Sequence, residues 1–277
     1  MIGPLGLDPE RLIAEWGRRV RANNEQADQY REAPESQDFY GPIASAFKAD
    51  PRRTDEPVLD VLRDLIVPGE TWLDIGAGGG RYALALAVSG AKVIALDPSP
   101  GMLGVLAETA AEFDVSGVTT IHARWPTPEP PTADVAFISH VGYDIADIGP
   151  FLDAMEASAR RLCVAVLLSE SPAAQAARLW PAVHGVERNL LPALPEFLTL
   201  LLARGKLFSV WLGERQAPSY ASLESIEGFA LNQLFVEKDG PGASKLRAAL
   251  PALAKERDGR FYLSDRATPL GVVTWKP

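Results

Sequence analysis

One glycine-rich stretch constrains the fold of this 277-residue chain more than any other feature. Residues 71–81 read TWLDIGAGGGR, with a short apolar run before the first glycine that predicts a buried strand. The Ala- and Leu-rich run from Arg81 to Val88 predicts a helix that ends at Gly90. Glycines between a strand and a helix N-terminus let the backbone approach a ligand and offer it free N–H groups. The stretch therefore predicts a ligand-binding turn in an α/β fold.

A second strand and a second helix follow this turn. The apolar run 93–96 predicts a strand that ends at Asp97, whose carboxylate is placed to accept hydrogen bonds from a ribose diol. Ser99 as N-cap and Pro100 at the first helical position predict where the next helix begins. The whole unit is typical of a nucleotide-binding or nucleoside-binding site.

The spacing of the glycines opposes a dinucleotide cofactor. A G-x-G-x-x-G fingerprint would need glycine at position 81, 83 or 84, depending on the frame, and these positions hold arginine, alanine and leucine. The pattern present is D-x-G-x-G-x-G, beginning at Asp74. A nicotinamide oxidoreductase is therefore disfavoured.

The sequence LDIGAGGGRYALALA, followed by VIALDPSPGML, resembles motifs I and II of the class I S-adenosylmethionine-dependent methyltransferases, of the small-molecule type 11/25-like group. The resemblance implies S-adenosyl-L-methionine as cofactor and S-adenosyl-L-homocysteine as product. In that family the first acid contacts the amino-acid end of the cofactor, and the second binds the ribose hydroxyls. An acid at the turn also favours a sulfonium cation. Carried onto matching positions, the implied cofactor-binding residues are Asp74, Gly76, Ala77, Gly78, Asp97, Pro98, Ser99 and Met102.

The resemblance also implies the fold class: a Rossmann-like seven-stranded sheet in the order 3-2-1-4-5-7-6, with the last strand antiparallel and helices on both faces. Its motifs cover about residues 58–170. We expect residues 1–57 to form an N-terminal helical cap, beginning with a helix over 8–30, and residues 58–277 to form the methyltransferase core. A helical insertion is expected at about 214–260.

Two strand exits carry further candidate cofactor contacts. Many family members have an acid after strand 3 that binds adenine, and this sequence has none there. Trp125 could lie against the adenine face or pack as an ordinary tryptophan. Strand 4 ends just before His140, our leading candidate for a catalytic residue that takes a proton from the acceptor, or for a cofactor contact. The alternative is a structural histidine.

Four other side chains are candidates for substrate binding, and each has packing as its alternative. They are Tyr40, Tyr143, Trp180 and His184. After the last of these residues in the chain, we predict one helix over 187–203 and another over 245–255 that is broken at Pro251.

Composition narrows the class of partner. A net charge of −9 argues against a nucleic-acid backbone or an anionic membrane as the main partner. The single cysteine, Cys163, lies in an apolar run and predicts a buried thiol in a cytoplasmic protein. Three scattered histidines and one cysteine give no metal-binding pattern. The chain is expected to be a monomer or a homodimer.

The resemblance implies an enzyme that moves the sulfonium methyl group to an O, N, C or S nucleophile. The Asn/Asp-Pro-Pro-Tyr type of tetrapeptide found in nucleic-acid amino methyltransferases is missing after strand 4, so a small-molecule acceptor is favoured. The alternatives are an S-adenosylmethionine-binding protein without methyl transfer, and a protein methyltransferase. Aminopropyl transfer is disfavoured because no acidic pair for a polyamine follows strand 4.

Overall fold

The computed structural model describes residues 6–32, 44 and 47–277. Nine strands are formed within these ranges. They are β1 Thr71–Ile75, β2 Lys92–Asp97, β3 Val118–His122, β4 Ala133–Ser139, β5 Ala159–Leu168, β6 Phe208–Arg215, β7 Lys255–Arg257, β8 Arg260–Tyr262 and β9 Thr268–Trp275. The helices within the same ranges are α1 Pro9–Tyr30, α2 Pro57–Asp64, α3 Ala83–Val88, α4 Pro100–Glu112, α5 Ile148–Ser158, α6 Ala174–Ala177, α7 Trp180–His184, α8 Leu194–Ala203, α9 Leu223–Gln233 and α10 Pro241–Leu253.

Seven strands form one sheet in the order β3-β2-β1-β4-β5-β9-β6. Strand β9 is antiparallel to both of its neighbours, β5 and β6, and the other pairings are parallel. The predicted fold class is confirmed, with β9 in the place of the predicted seventh strand. Because β6 runs in the same direction as β5, the carboxyl ends of β1, β2, β4, β5 and β6 meet at one edge of the sheet.

The sheet is covered by helices on both faces, and its strands are apolar on both sides, as is usual for parallel strands. Helices α1, α5 and α8 pack on one face, around Phe151 and Phe197. Helices α2, α3 and α4 pack on the other face, over Trp72 and Phe137. A membrane-spanning helix would need a longer apolar stretch than any helix in the described ranges has.

A third apolar cluster joins α7, α9 and α10, with Trp180, Ile226 and Leu246 among its buried residues. The end of α1 is attached to it by Glu32, whose carboxylate accepts hydrogen bonds from the N–H groups of Glu237 (3.0 Å) and Gly242 (2.9 Å). Gly242 lies in the first turn of α10, where unpaired N–H groups favour an acid, and Glu237 lies in the turn before the helix. The division into a cap and a core with an insertion remains a prediction.

Helix starts follow the sequence signals where a side chain caps them. The Asp8 carboxylate accepts hydrogen bonds from the N–H groups of Glu10 and Arg11 at the start of α1. The Ser99 hydroxyl accepts one from the N–H of Met102 at 3.1 Å, at the start of α4. These local signals predicted both helices correctly.

Two helix predictions are wrong. The predicted helix over 187–203 begins only at Leu194, because Pro192 and Pro195 disfavour helical backbone in the residues before them. Helix α10 runs through Pro251 without a break. This proline lies two residues before the helix ends, where the missing N–H removes a single hydrogen bond near the fraying end.

Gly76, directly after β1, lets the loop after β4 approach the turn. Its φ is +76°, and a Cβ built there would lie 2.5 Å from Cγ2 of Val141. Valine is stiff about χ1 and cannot easily move away. The close approach therefore requires glycine at this position.

We predict that Gly76→Ala lowers the free energy of unfolding by about 2 kcal/mol or more, through backbone strain and the clash with Val141. Gly104→Ala in α4 is the matched control, since nothing lies within 4 Å of its Cβ position. It should stabilise the protein by about 0.5–1 kcal/mol, as replacing glycine inside a helix usually does. Urea unfolding of both variants tests this, and equal effects would contradict it.

Candidate active site

The glycine turn after β1 is bound to the end of β2. The N–H groups of Gly76 and Ala77 both donate to the carbonyl of Leu96, at 2.7 and 3.1 Å. The N–H of Gly78 donates to Oδ2 of Asp97 at 2.8 Å. The turn is thus fixed at the carboxyl end of two parallel strands, the position where open α/β sheets bind ligands.

Asp97 also organises the start of the next helix. Its Oδ1 accepts a hydrogen bond from the N–H of Ser99 at 2.8 Å. The carbonyl of Pro98 lies 3.0 Å from Nε2 of His122, at the end of β3. Asp97 is only 7% exposed, so its carboxylate is held in one orientation at the edge of the sheet.

Asp74 places a second buried carboxyl group next to Asp97. It lies on β1, is 2% exposed, and has no hydrogen-bond donor among the described residues. Burial, together with the negative charge of Asp97, raises the pKa of Asp74 to about 8. A buried carboxyl group with no donor is a good partner for a cationic ligand.

Side chains from α4 and from residue 47 lie close to the backbone of the turn. Gly78 has φ +54°, and a Cβ built there would lie 4.0 Å from Sδ and Cε of Met102, which is ordinary contact. A Cβ at Gly79 would lie 3.3 Å from the Cβ of Phe47. The chain at residue 47 therefore runs beside the glycine turn. Asp74, Gly76, Ala77, Gly78, Asp97, Pro98, Ser99 and Met102 all lie at this end of the sheet, where the sequence predicted a cofactor site.

His140 and Tyr143 lie in the loop after β4, at the same edge. His140 has φ +55°, an unusual value for a non-glycine residue, and its N–H donates to the carbonyl of Val166 at 2.9 Å. Its Nδ1 lies 3.5 Å from Oη of Tyr143. That hydroxyl oxygen in turn accepts a hydrogen bond from the N–H of Leu168 at 2.7 Å. These contacts fix both side chains relative to β5.

Both side chains are neutral at pH 7. Desolvation, together with the nearby charges of Arg215 and Arg81, lowers the pKa of His140 to about 4. Burial raises the pKa of Tyr143. A neutral imidazole can accept a proton, so His140 keeps the form that a general base needs.

Residues 73–162 match the family model described as a methyltransferase domain. This segment, about a third of the chain, is similar to the methyltransferase domains that the model describes. S-adenosylmethionine is the cofactor of this family.

One curated protein is similar to part of this chain. An uncharacterised protein of Haemophilus influenzae is 43% identical over 72 residues, which are 25% of this chain and 27% of that protein. The chain therefore spans about a quarter of the length of the curated relative that it matches.

Two solved structures share the fold at low identity. YjhP of Escherichia coli superposes with a TM-score of 0.53 at 17% identity, covering 86% of this chain and 98% of that protein. Magnesium protoporphyrin IX methyltransferase of Synechocystis, solved with bound S-adenosylhomocysteine, superposes with a TM-score of 0.51 at 11% identity, covering 98% and 100%. At these identities the likeness concerns the fold alone.

Trp125 is part of the core of the methyltransferase domain. It is 7% exposed, and its Nε1 donates to the carbonyl of Phe151 at 3.2 Å. These contacts agree with the packing alternative. A stacking role toward adenine stays a prediction.

Trp180 and His184 lie in the helical cluster of α7, α9 and α10. Trp180 is 1% exposed, and its ring centroid is 4.3 Å from that of His184 and 6.0 Å from that of Tyr30. Nε2 of His184 lies 3.0 Å from the carbonyl of Leu234. Packing accounts for both side chains, and their predicted substrate contacts remain predictions. Tyr40, the fourth candidate, lies outside the described residues.

A polar network beside α3 joins residues whose contacts no sequence motif indicates. The Glu56 carboxylate accepts hydrogen bonds from Arg53 (2.7 Å), Arg81 (2.8 Å) and the hydroxyl of Tyr82 (2.5 Å). Burial opposes ionisation of Glu56, but these hydrogen bonds outweigh it and lower its pKa. The network fixes the start of α3 beside the glycine turn, and its members lie up to 29 positions apart in the chain.

We predict that Asp74→Asn makes the protein without ligand more stable at high pH. Between the ordinary aspartate pKa and about 8, folded Asp74 holds a proton that the unfolded chain releases, so wild-type stability falls as pH rises through this window. Asparagine removes the dependence and should raise the free energy of unfolding at pH 9 by about 2 kcal/mol or more.

Urea unfolding at pH 5 and pH 9 measures this difference. Asp134→Asn is the matched control, because the pKa of Asp134 at the start of β4 is lowered, mainly by the N–H of Thr71. That variant should keep the fall in stability between the two pH values. An Asp74→Asn variant that still shows the full fall would contradict the assignment.

Proposed function

We propose that this chain is an S-adenosylmethionine-dependent methyltransferase that acts on a small-molecule acceptor. The observation that carries the proposal is the meeting of two buried carboxyl groups, Asp74 and Asp97, with a glycine turn at the carboxyl ends of β1 and β2. The family match over residues 73–162 supports the same ligand.

The residues at this edge fit the cofactor chemically. Asp74 would hold its positively charged amino-acid end, because a nearby cation stabilises a buried carboxylate that otherwise favours its protonated form. Asp97 accepts hydrogen bonds from the N–H groups of Gly78 and Ser99. An acid at the end of the second strand of such a sheet is also in the position to bind ribose hydroxyls.

When bound, the cofactor supplies an electrophilic methyl group on a sulfonium sulfur. The protein's task is then to position the acceptor, exclude water and, for a hydroxyl or amine, take up a proton. His140 can serve as the proton acceptor. Its Nδ1 faces Tyr143, while Nε2 has no partner among the described residues and is available to an incoming group. The fixed backbone of His140 keeps the ring at the edge of the sheet.

A small-molecule acceptor agrees with the charge of the chain and with one structural neighbour. The net charge of −9 opposes binding to nucleic acid. The Synechocystis neighbour is named for a small-molecule acceptor, magnesium protoporphyrin IX. A cytoplasmic location is proposed from the single buried thiol, Cys163.

Transfer of a labelled methyl group tests this function. Purified protein is incubated with methyl-tritiated S-adenosylmethionine and either the small-molecule or the macromolecular fraction of a cell extract. We expect label in the small-molecule fraction, with Asp97→Ala at background. Label only in proteins would indicate a protein methyltransferase. Cofactor binding without any transfer would indicate a binding protein of the same fold.

We predict that His140→Gln slows methyl transfer to a hydroxyl or amine acceptor about 100-fold at pH 7, since it removes the proton acceptor. Its affinity for S-adenosylmethionine should match that of wild type. The wild-type rate should be flat between pH 6 and pH 8, because the imidazole is already neutral there. A rate that stays unchanged in the variant would show that His140 is structural.

A further inference from the structure

Arg215 is the last residue of β6 and lies at the edge of the sheet that carries the proposed active site. It pairs with Thr268 of β9, two positions beyond the pair Gly213–Leu270. Leu270 also pairs with Leu168 of β5, whose N–H binds the hydroxyl of Tyr143. The register therefore places Arg215 just beyond the level of that hydroxyl.

Arg215 also shares a face of the sheet with the two acids. Side chains two positions apart on a strand point to the same face. Trp211, four positions before Arg215, packs in the same apolar cluster as Trp72, which is two positions before Asp74. A Cβ built at Gly213 would meet the Trp211 ring at 2.4 Å, so this part of β6 keeps the alternation.

The charge of Arg215 acts on three neutral groups. It lowers the pKa of His140 and opposes the rise in the pKa of Tyr143 and of Tyr220. The guanidinium is therefore near the proposed proton acceptor. The charge of Glu56, which is paired with Arg53 and Arg81, also acts on His140 and partly offsets the two arginines. Tyr220 lies between β6 and α9, at the side of the helical cluster.

The guanidinium of Arg215 has no hydrogen bond, ion pair or ring contact among the described residues, and the residue is exposed. The other arginine that acts on His140, Arg81, is paired with Glu56. The acids next in sequence at this edge, Glu170 and Glu214, are exposed and do not lie within ion-pair distance of Arg215. The positive charge of Arg215 is thus available to a ligand.

We propose that Arg215 binds a carboxylate on the methyl acceptor, so that the substrate is a carboxylate-bearing small molecule with its reactive atom toward His140. The inference rests on the proposed methyltransferase function. A guanidinium presents a planar fork of donors that matches a carboxylate in two parallel hydrogen bonds. A phosphate monoester carries nearly two negative charges, which one guanidinium balances only in part.

The test uses benzoate and its neutral analogue benzamide as probes. Their binding is monitored by NMR of the His140 imidazole, and the His140 signals are assigned as those missing from the spectrum of His140→Gln. Wild type, Arg215→Gln and Arg160→Gln are titrated with and without S-adenosylhomocysteine. Arg160 is the matched control, since it lies at the amino end of β5, at the opposite edge of the sheet. Calorimetry first measures the affinity of each protein for S-adenosylhomocysteine.

In the wild type and in Arg160→Gln, we expect benzoate to shift the His140 signals in a saturable way. The affinity for benzoate should be at least about tenfold weaker in Arg215→Gln, and benzamide should cause no shift. Arg215→Gln should also raise the midpoint of the His140 titration, because a nearby positive charge is removed. Equal effects of benzoate and benzamide, an unchanged affinity in Arg215→Gln, or no saturable shift would overturn the inference. Tighter binding of phenyl phosphate would overturn its carboxylate part. Failure to bind S-adenosylhomocysteine would instead refute the proposed function.

Discussion

The carboxylate of Asp97 joins the two motifs on which the site depends. One oxygen accepts the N–H of Gly78 and the other accepts the N–H of Ser99, so a single side chain fixes the glycine turn to the start of α4. Hydrogen bonds to a charged acceptor are stronger than those between neutral groups, and burial keeps this carboxylate in place. Asp97 also lies at the carboxyl end of β2, the position at which an acid binds a ribose diol in nucleotide-binding sheets. The same side chain thus serves both the fold and the proposed ligand.

The edge of the sheet carries an imbalance of charge that a cationic cofactor would correct. Asp74 is buried without a donor among the described residues, and its raised pKa shows how strongly the protein alone disfavours its ionised form. A site of this kind lowers stability in exchange for ligand affinity, which is common in enzymes. A few residues further along the edge, His140 and Tyr143 are held neutral, and Arg215 supplies a positive charge. The part of the edge with Asp74 would bind the cofactor. The part with His140, Tyr143 and Arg215 would face the acceptor.

Sequence predicted the features that depend on neighbouring residues. The cap at Ser99, the strand ending at Asp97 and the glycine turn each follow from a few adjacent positions, and the sheet order followed from the resemblance that they support. Sequence could not predict contacts between distant segments. The network around Glu56 and the place of Arg215 arise only when separate elements pack together. Leu194, where α8 begins, was misjudged because apolar periodicity was given more weight than two prolines.

The most direct test of this account is calorimetric titration of the purified protein with S-adenosylmethionine, S-adenosylhomocysteine and NADH, repeated on Asp97→Ala. The account predicts micromolar binding of the first two ligands to the wild type, at least tenfold weaker binding to the variant, and no binding of NADH. A preference for NADH would contradict the assignment of the glycine turn. Absence of binding by both sulfur compounds would leave the fold in place but remove the cofactor from the account.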